Sequence, residues 1–168
     1  ARKTFPGLDL TRHGLEPVEI EVLAGLVFVR VVPGGPSLKE MWGEEAKLRE
    51  PYKLDELEPA VEAIHTEVWN CNWKVAVDNN LENYHIPIGH PGYHRMLDND
   101  LVGFMNAHGV AGSLSKHRDE LSDNWSERRY QQLTSVALDR LDVETRRTWM
   151  FFTMPPNIGI DIYPDSMD

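Results

Sequence analysis

The segment of residues 72–91 constrains the fold most, because its first part has the pattern of a helix and Pro87 interrupts it. A proline pushes the residue before it out of the helical region, so the pattern predicts that the helix ends there. Gly89 then lets the chain fold back. Five residues apart on an unbroken helix, side chains point roughly 140° apart. The break is therefore what allows His85 and His90 to approach each other.

The same segment carries two carboxylates on the helix face that bears the first histidine. Asp78, Glu82 and His85 stand at i, i+4 and i+7. Such groups are costly to bury without a partner, and a bound cation is one partner. Two imidazoles and one carboxylate, with open positions, form the facial triad of non-haem Fe(II) oxygenases. The alternative is a helix C-terminus decorated with surface histidines, which suit the negative end of the helix dipole.

The composition limits the partners of the chain. Its 168 residues carry a net charge of −10, which disfavours nucleic acid and anionic membranes. No apolar run in the sequence is long enough to span a membrane, and its first residues lack the apolar core that a signal peptide has. Cys71 is the one cysteine, so an intramolecular disulfide is impossible and a cytoplasmic location is predicted. We interpret Cys71 as a small buried residue.

The pattern of the whole chain predicts an α+β fold, an antiparallel sheet with helices packed on it. The expected hairpin at 18–32 turns at Ala24-Gly25, and Pro33 to Pro36 mark a boundary. Ser37 and Glu40 predict a capping box. Further predicted strands and helices are a strand at 60–70, a helix at 73–85, a loop at 89–92, a strand at 101–115, a helix at 126–138 with Trp125 and Tyr130 as core contacts, and strands at 147–154 and 157–163.

The segment 72–91 resembles the iron-binding segment of the alpha subunit of Rieske-type ring-hydroxylating oxygenases. The residues that carry the resemblance are Asn72, Trp73, Lys74, Asp78, Asn79, Glu82, Tyr84, His85, His90 and Pro91. The likeness extends to residues 15–32, which resemble strands that close the Rieske domain, and to Met150–Asp165, which resembles sheet of the catalytic domain. It implies a helix-grip, START-like catalytic domain.

The resemblance also assigns roles to individual residues. It implies that His85 and His90 bind a mononuclear Fe(II), that Asn79 lies near the iron, and that a more C-terminal Asp completes the triad. It implies that Glu82 transfers electrons from the Rieske [2Fe-2S] cluster of a neighbouring subunit. A homotrimer, an electron-donating reductase or ferredoxin, dioxygen and a small organic substrate are the implied partners. The implied reaction is hydroxylation, dihydroxylation or demethylation of an aromatic compound or an amine, and Glu82 in place of Asp favours monooxygenation or demethylation, including that of quaternary amines.

Two departures from the family pattern limit what this chain can supply. The cluster needs Cys-x-His and Cys-x-x-His pairs, which a chain with Cys71 alone cannot provide. Asp161, Asp165 and Asp168 fall too early in the chain for the third iron ligand. We therefore expect residues 1–36 to be the end of a Rieske-domain-like β segment with its linker. Residues 37–168 would be the N-terminal part of the catalytic domain, truncated at its C-terminus.

Three other functions are compatible with parts of this sequence. A di-iron carboxylate protein would use Glu62/His65 and Glu82/His85, but the alternation of 60–70 places the first pair on opposite faces of a strand. A 2-oxoglutarate oxygenase would use His65 and Glu67 with distant His117 and Arg128. A START-like carrier of small ligands would need no histidine pair.

For the substrate pocket, the candidate residues are His108, Phe104 and Phe151. Core packing is the competing interpretation for the two phenylalanines, and ordinary hydrogen bonding for His108. His13 and His94 are expected at the surface.

Overall fold

The computed structural model of the chain describes residues 4–137 and 139–167. It begins with a two-stranded antiparallel hairpin, β1 (Glu19–Leu23) and β2 (Leu26–Arg30). Its two turn residues, Ala24 and Gly25, have positive φ angles of 54° and 79°. Such two-residue turns follow the right-handed twist of the flanking strands. The predicted hairpin and its turn are confirmed.

In the part of the chain that the structure describes, the main sheet has four antiparallel strands in the order β3-β4-β5-β6. The strands are β3 (Leu97–Met105), β4 (Ala111–His117), β5 (Thr148–Met154) and β6 (Ile158–Ile162). The predicted α+β class with an antiparallel sheet is confirmed. The single strand predicted at 101–115 is instead a hairpin, because Asn106 turns the chain by accepting hydrogen bonds from the backbone of His108 and Val110.

Five α-helices accompany the sheets within residues 4–137 and 139–167. They are α1 (Leu38–Trp42), α2 (Trp73–Leu81), α3 (Ile86–Gly89), α4 (Pro91–Met96) and α5 (Trp125–Ala137). Short 3-10 segments span Leu10–Arg12, Gly43–Tyr52, Leu54–Glu56, Val61–Ala63 and Thr145–Arg147. None of the helices in the described part of the chain combines the length and apolarity needed to cross a membrane.

Several predicted elements need correction. The helix predicted at 73–85 ends at Leu81, because Glu82 is extended, with φ −95° and ψ 158°. Pro87 does not stop that helix; it lies in the first turn of α3, where its missing N–H is no loss. Residues 89–92 form no long loop; they comprise the end of α3, the junction residue His90 and the start of α4. Residues 60–70 form no strand, since their β-branched side chains are exposed and no strand pairs with them.

The core lies on one face of the four-stranded sheet. Segment 37–57 covers this face, and the Trp42 ring packs on Phe152 with centroids 4.6 Å apart. The Ser37–Glu40 capping box is present and starts α1. The buried apolar side chains are Leu38, Trp42, Tyr52, Leu54, Val110, Met150, Phe152, Met154, Ile160 and Ile162. The opposite face of the sheet stays available for a site.

Trp125 and Cys71 are more exposed than the sequence indicates, whereas Tyr130 packs against the sheet. Trp125 is 79% exposed at the start of α5, so it is not a core contact. Tyr130 is half-buried and accepts a hydrogen bond from the Trp149 indole at 3.1 Å. Cys71 is exposed, because residues 64–72 run outside regular structure. Leu138, the predicted end of the last helix, lies outside the described residues.

Candidate functional site

The candidate histidines lie at the junctions of three short helices. Asn72 caps α2 by accepting a hydrogen bond from the Lys74 amide at 3.0 Å, and α2 packs against β4 and β5. The chain then leaves the helix at Glu82. His85 precedes α3, and His90 stands between α3 and α4. Each histidine is thus held at a change of backbone direction beside the sheet.

The two imidazole rings lie close enough to share one metal ion. Their centroids are 5.1 Å apart, with the planes at 73°. Imidazoles that bind one ion at neighbouring coordination positions have centroids about 5 Å apart, because each nitrogen lies about 2.1 Å from the metal. The distance between His85 and His90 therefore fits a pair of ligands to a single ion.

Glu82 fixes the orientation of the His85 ring. Its Oε1 is hydrogen-bonded to Nδ1 of His85, and its Oε2 accepts from the backbone amide of His85 at 3.3 Å. Asn79 lies beside both, with Nδ2 3.4 Å from Glu82 Oε1 and 3.5 Å from His85 Nδ1. A histidine whose Nδ1 hydrogen bonds to a carboxylate keeps the lone pair on Nε2 for a metal.

The structure brings together a pair of candidate ligands and not a triad. Among residues 4–137 and 139–167, no group of three or more His, Cys, Asp or Glu side chains is arranged to hold a metal ion. Asp78 is exposed on α2 and Asp165 is exposed after β6, whereas Asp168 lies outside the described residues. Asp161 lies on β6, where its Oδ1 accepts a hydrogen bond from Asn80 at 3.4 Å. Among the described residues, none of these aspartates therefore joins the two histidines in a group arranged to hold a metal ion.

A cavity of about 830 Å³ opens between α2 and the face of the sheet opposite the core. His85, His90 and Glu82 lie on its wall. One row of cross-strand neighbours forms its floor, one residue from each strand: Gly103, Ser113, Phe151 and Asp161. The candidate metal pair thus faces a space large enough for a small organic molecule.

Aromatic rings line one side of this cavity. Tyr93 stacks on Trp149 with centroids 4.8 Å apart and planes 4° from parallel, and Trp149 meets Tyr163 edge-on at 5.0 Å. The Tyr93 hydroxyl donates a hydrogen bond to the Oγ of buried Ser115. Burial raises the pKa of Tyr93 to about 12, so this hydroxyl is neutral at physiological pH.

Of the three residues expected in the pocket, only Phe151 lines the cavity. Phe104 points to the other face of the sheet, where its ring contacts Phe152 at 5.3 Å. His108 is exposed on the turn between β3 and β4. The expectation for Phe104 and His108 is therefore corrected. Side chains alternate between the faces of a strand, and the turn of His108 lies beside α1, where Asn106 donates a hydrogen bond to the carbonyl of Met41 at 2.8 Å.

Sequence reasoning missed Tyr93, Trp149 and Asp161 as cavity residues. Trp149 precedes Phe151 by two residues on β5, and Asp161 is the cross-strand neighbour of Phe151 on β6. All three therefore share one face of the sheet, and the period of two along the strands carried the signal. Tyr93 carried no such signal, because α4 was not predicted.

The competing metal sites are not assembled. Glu62 and His65 are exposed, and His65 lies outside any helix, so the helical Glu-x-x-His copy of a di-iron site is absent from this described segment. The 80% exposed side chain of His65 forms an ion pair with Glu67 at 4.0 Å. His117 is buried against Trp149, at 4.4 Å between ring centroids. As expected, His13 and His94 are exposed.

Comparison with known proteins identifies the family of the chain. Residues 44–168 match the family model described as the ring hydroxylating alpha subunit, catalytic domain. The chain belongs to this family. Members of the family use a mononuclear iron and a Rieske [2Fe-2S] cluster. The histidine pair, the neighbouring carboxylate and the cavity are features of this chain that suit the iron of such a domain.

Individual relatives are oxygenase subunits. Over 83 residues the chain is 28% identical to the glycine betaine monooxygenase oxygenase subunit of Pseudomonas aeruginosa, covering 49% of this chain and 19% of that protein. Over 87 residues it is 37% identical to the carnitine monooxygenase oxygenase subunit of Escherichia coli K12, covering 51% of this chain and 23% of that protein. The chain thus spans about a fifth of the length of these relatives.

A solved structure shares the fold. The crystal structure of the quaternary ammonium Rieske monooxygenase CntA in complex with an inhibitor matches 96% of this chain and 39% of its own, with a TM-score of 0.68 and 18% identity. That likeness supports the α+β architecture described above.

Proposed function

We propose that this chain is part of a terminal oxygenase whose mononuclear Fe(II) is held by His85 and His90. The observation that supports the proposal most directly is the 5.1 Å spacing of the two rings at the edge of the cavity. Bound iron would supply dioxygen activation. The third ligand, an Asp in the resemblance, would come from beyond the residues described here.

We propose that Glu82 sets the orientation of the His85 ring. The carboxylate accepts the Nδ1 hydrogen, which turns Nε2 toward the shared ion. With its side chain 22% exposed, Glu82 can also contact a second subunit. We propose that it receives electrons from the Rieske cluster of a neighbouring subunit in a homotrimer. A reductase or a ferredoxin would supply these electrons to the cluster. Asn79 would hold Glu82 in place.

We further propose that residues 1–36 end a Rieske-like domain and that 37–168 begin the catalytic domain, in a cytoplasmic protein. The family match covers residues 44–168, and this supports a catalytic domain that begins after residue 36. For the substrate we propose a small amine, hydroxylated or demethylated in the cavity. The relatives are named for glycine betaine and carnitine, both quaternary amines.

Iron analysis of the full-length protein tests the proposal. We expect the His85→Ala, His90→Ala double variant to lose its mononuclear iron, while the His94→Ala control keeps it. His94 suits as the control because it is an exposed histidine on α4, close in sequence to the pair. A double variant that retains the mononuclear iron and turns over would refute the assignment. A native protein without mononuclear iron would instead favour a ligand carrier that uses the same cavity.

A further inference from the structure

We propose that Glu127 on α5 is a positioning residue that holds α4 through Arg95 and thereby fixes His90 beside His85. The inference rests on the proposed function, because it takes the two histidines as ligands of the iron. It adds to the site a side chain that does not itself line the cavity.

The carboxylate of Glu127 is removed from water. Its side chain is 6% exposed, and among the residues that the structure describes no other acidic residue is buried. Burying a charge is costly unless the charge is paired and hydrogen-bonded. The position of Glu127 therefore depends on the partners that surround its carboxylate.

Two partners bind this carboxylate, one on each oxygen. Arg95 donates to Oε1 from Nε at 3.0 Å and also from a terminal guanidinium nitrogen. The hydroxyl of Ser122 donates to Oε2 at 2.5 Å. Hydrogen bonds between charged groups are stronger than neutral ones, and the rigid guanidinium gives them a defined direction. The ion pair thus joins α4 to α5 across 32 positions of sequence.

The ion pair lies beside the turn that follows His90. A Cβ built on Gly92, two residues after His90, would be 3.5 Å from Oε1 of Glu127. The amide of His94 donates to the carbonyl of His90 at 2.9 Å, which ties His90 to this same turn. A displacement of α4 would therefore move His90 and change the 5.1 Å spacing of the two imidazole rings.

Tertiary contacts set the position of α4, because a helix of six residues is too short to be stable alone. On one side Tyr93 attaches α4 to the sheet, with its ring stacked on Trp149 and its hydroxyl bonded to Ser115. On the other side Arg95 attaches it to α5. Loss of the charge on Glu127 would weaken the second attachment and leave the first.

Metal affinity tests the proposal with a matched control. We would empty the mononuclear site of the full-length protein and measure its affinity for Co(II) by competition with a chelator. Glu127→Gln keeps the size of the side chain and removes its charge. We expect affinity to fall about tenfold, since partners outside the ligand set change metal affinity by about this factor or more. Unchanged affinity would overturn the inference.

The control is Glu144→Gln, which removes the same charge from the ion pair between Glu144 and Lys116. Neither residue belongs to α4 or α5, so we expect native affinity. The Co(II) absorption spectrum at saturating metal adds a readout of ligand geometry that a general loss of stability does not change. We expect an altered spectrum in Glu127→Gln alone. An equal loss of affinity in both variants, with native spectra, would show that Glu127 acts only on stability and would overturn the inference.

A second pair of variants tests whether Glu127 acts through Arg95. Arg95→Gln leaves the buried carboxylate without its cation, whereas the double variant Arg95→Gln, Glu127→Gln removes both charges. If the two residues act as a unit, the double variant loses about tenfold in Co(II) affinity, as Glu127→Gln does. A loss of about a hundredfold in the double variant would show that they act independently.

Hydrogen exchange in the metal-free protein separates this inference from the proposed function. We expect amides of residues 92–97 to exchange faster in Glu127→Gln than in Glu144→Gln. Faster exchange with native Co(II) affinity would refute the effect on His90 and leave the oxygenase. A native protein that binds no Co(II) at the histidine pair would refute the proposed function. Exchange at 92–97 would then decide alone whether Glu127 holds α4, and equal rates in the two variants would refute it.

Discussion

The buried imidazole of His117 predicts a pH-dependent loss of stability. The side chain is 5% exposed at the end of β4, and its ring packs against Trp149 at 4.4 Å. Its Nε2 has no hydrogen-bond partner among the described residues. Burial, and secondarily the charge of Arg147, lowers the pKa of His117 from 6.5 to about 4. The folded protein therefore keeps this histidine neutral at pH values where the unfolded chain protonates it.

The direction and size of the effect follow from that difference. Above pH 6.5 both states are neutral at this site and its contribution to stability is complete. As the pH falls, the unfolded state binds a proton first, so the free energy of unfolding decreases until about pH 4. At about 1.36 kcal/mol for each pKa unit, the full loss is about 3 kcal/mol, of which about 2 kcal/mol is lost by pH 5.

Comparison with His117→Phe isolates this contribution, because the substitution keeps a ring against Trp149 and removes the titrating group. We would follow urea unfolding by tryptophan fluorescence at pH 7.5 and at pH 5. Other groups titrate in both proteins, so the informative quantity is the difference between their losses. We expect the native protein to lose about 2 kcal/mol more than the variant over this range. Equal losses would show that His117 takes up its proton without unfolding, and the reasoning from burial would fail.

Three other substitutions have defined outcomes. Glu82→Gln should keep the iron but slow its reduction in a single turnover, and an unchanged rate measured by stopped flow would argue against electron transfer through this residue. Gly89→Ala would place a methyl group 3.3 Å from Cδ2 of His85, so we expect iron affinity, measured by chelator competition, to fall about tenfold with stability nearly unchanged. Gly112→Ala would place a methyl group 2.1 Å from the carbonyl oxygen of Phe151. We therefore expect the free energy of unfolding to fall by about 3 kcal/mol or more. A loss below about 1 kcal/mol would contradict this close approach.

The sequence predicted those elements whose signals are local. The Ala24-Gly25 turn, the Ser37 capping box and the strands β5 and β6 each depend on neighbouring residues, and each is found. Segment 60–70 has the same alternation as a strand but forms none. A strand needs a partner strand to form hydrogen bonds with, and the sequence of the segment does not show whether such a partner is present.

The sequence predicted the candidate metal ligands and their neighbouring carboxylate, but not the side chains that line the cavity beside them. The resemblance pointed to His85, His90 and Glu82, and the structure places them together. The period of two places Phe151 and Trp149 on one face of the sheet, but it does not show which face lines the cavity, because both faces carry aromatic side chains. The face of Phe104 is covered by segment 37–57, whereas the face of Phe151 is left to the cavity. Which face is covered depends on segments that are distant in sequence, and a local pattern does not predict how those segments pack.

The approach of the two histidines has a different origin from the one the sequence indicates. On a continuous helix five residues rise about 7.5 Å and turn the side chains away from each other. Here α3 is a single turn closed by the hydrogen bond from the His90 amide to the carbonyl of Ile86, at 2.9 Å. His90 then leaves the helical region, with φ −128° and ψ 60°, before α4 begins. The junction between α3 and α4, and not the end of α2 at Leu81, therefore brings the His90 ring to 5.1 Å from the ring of His85.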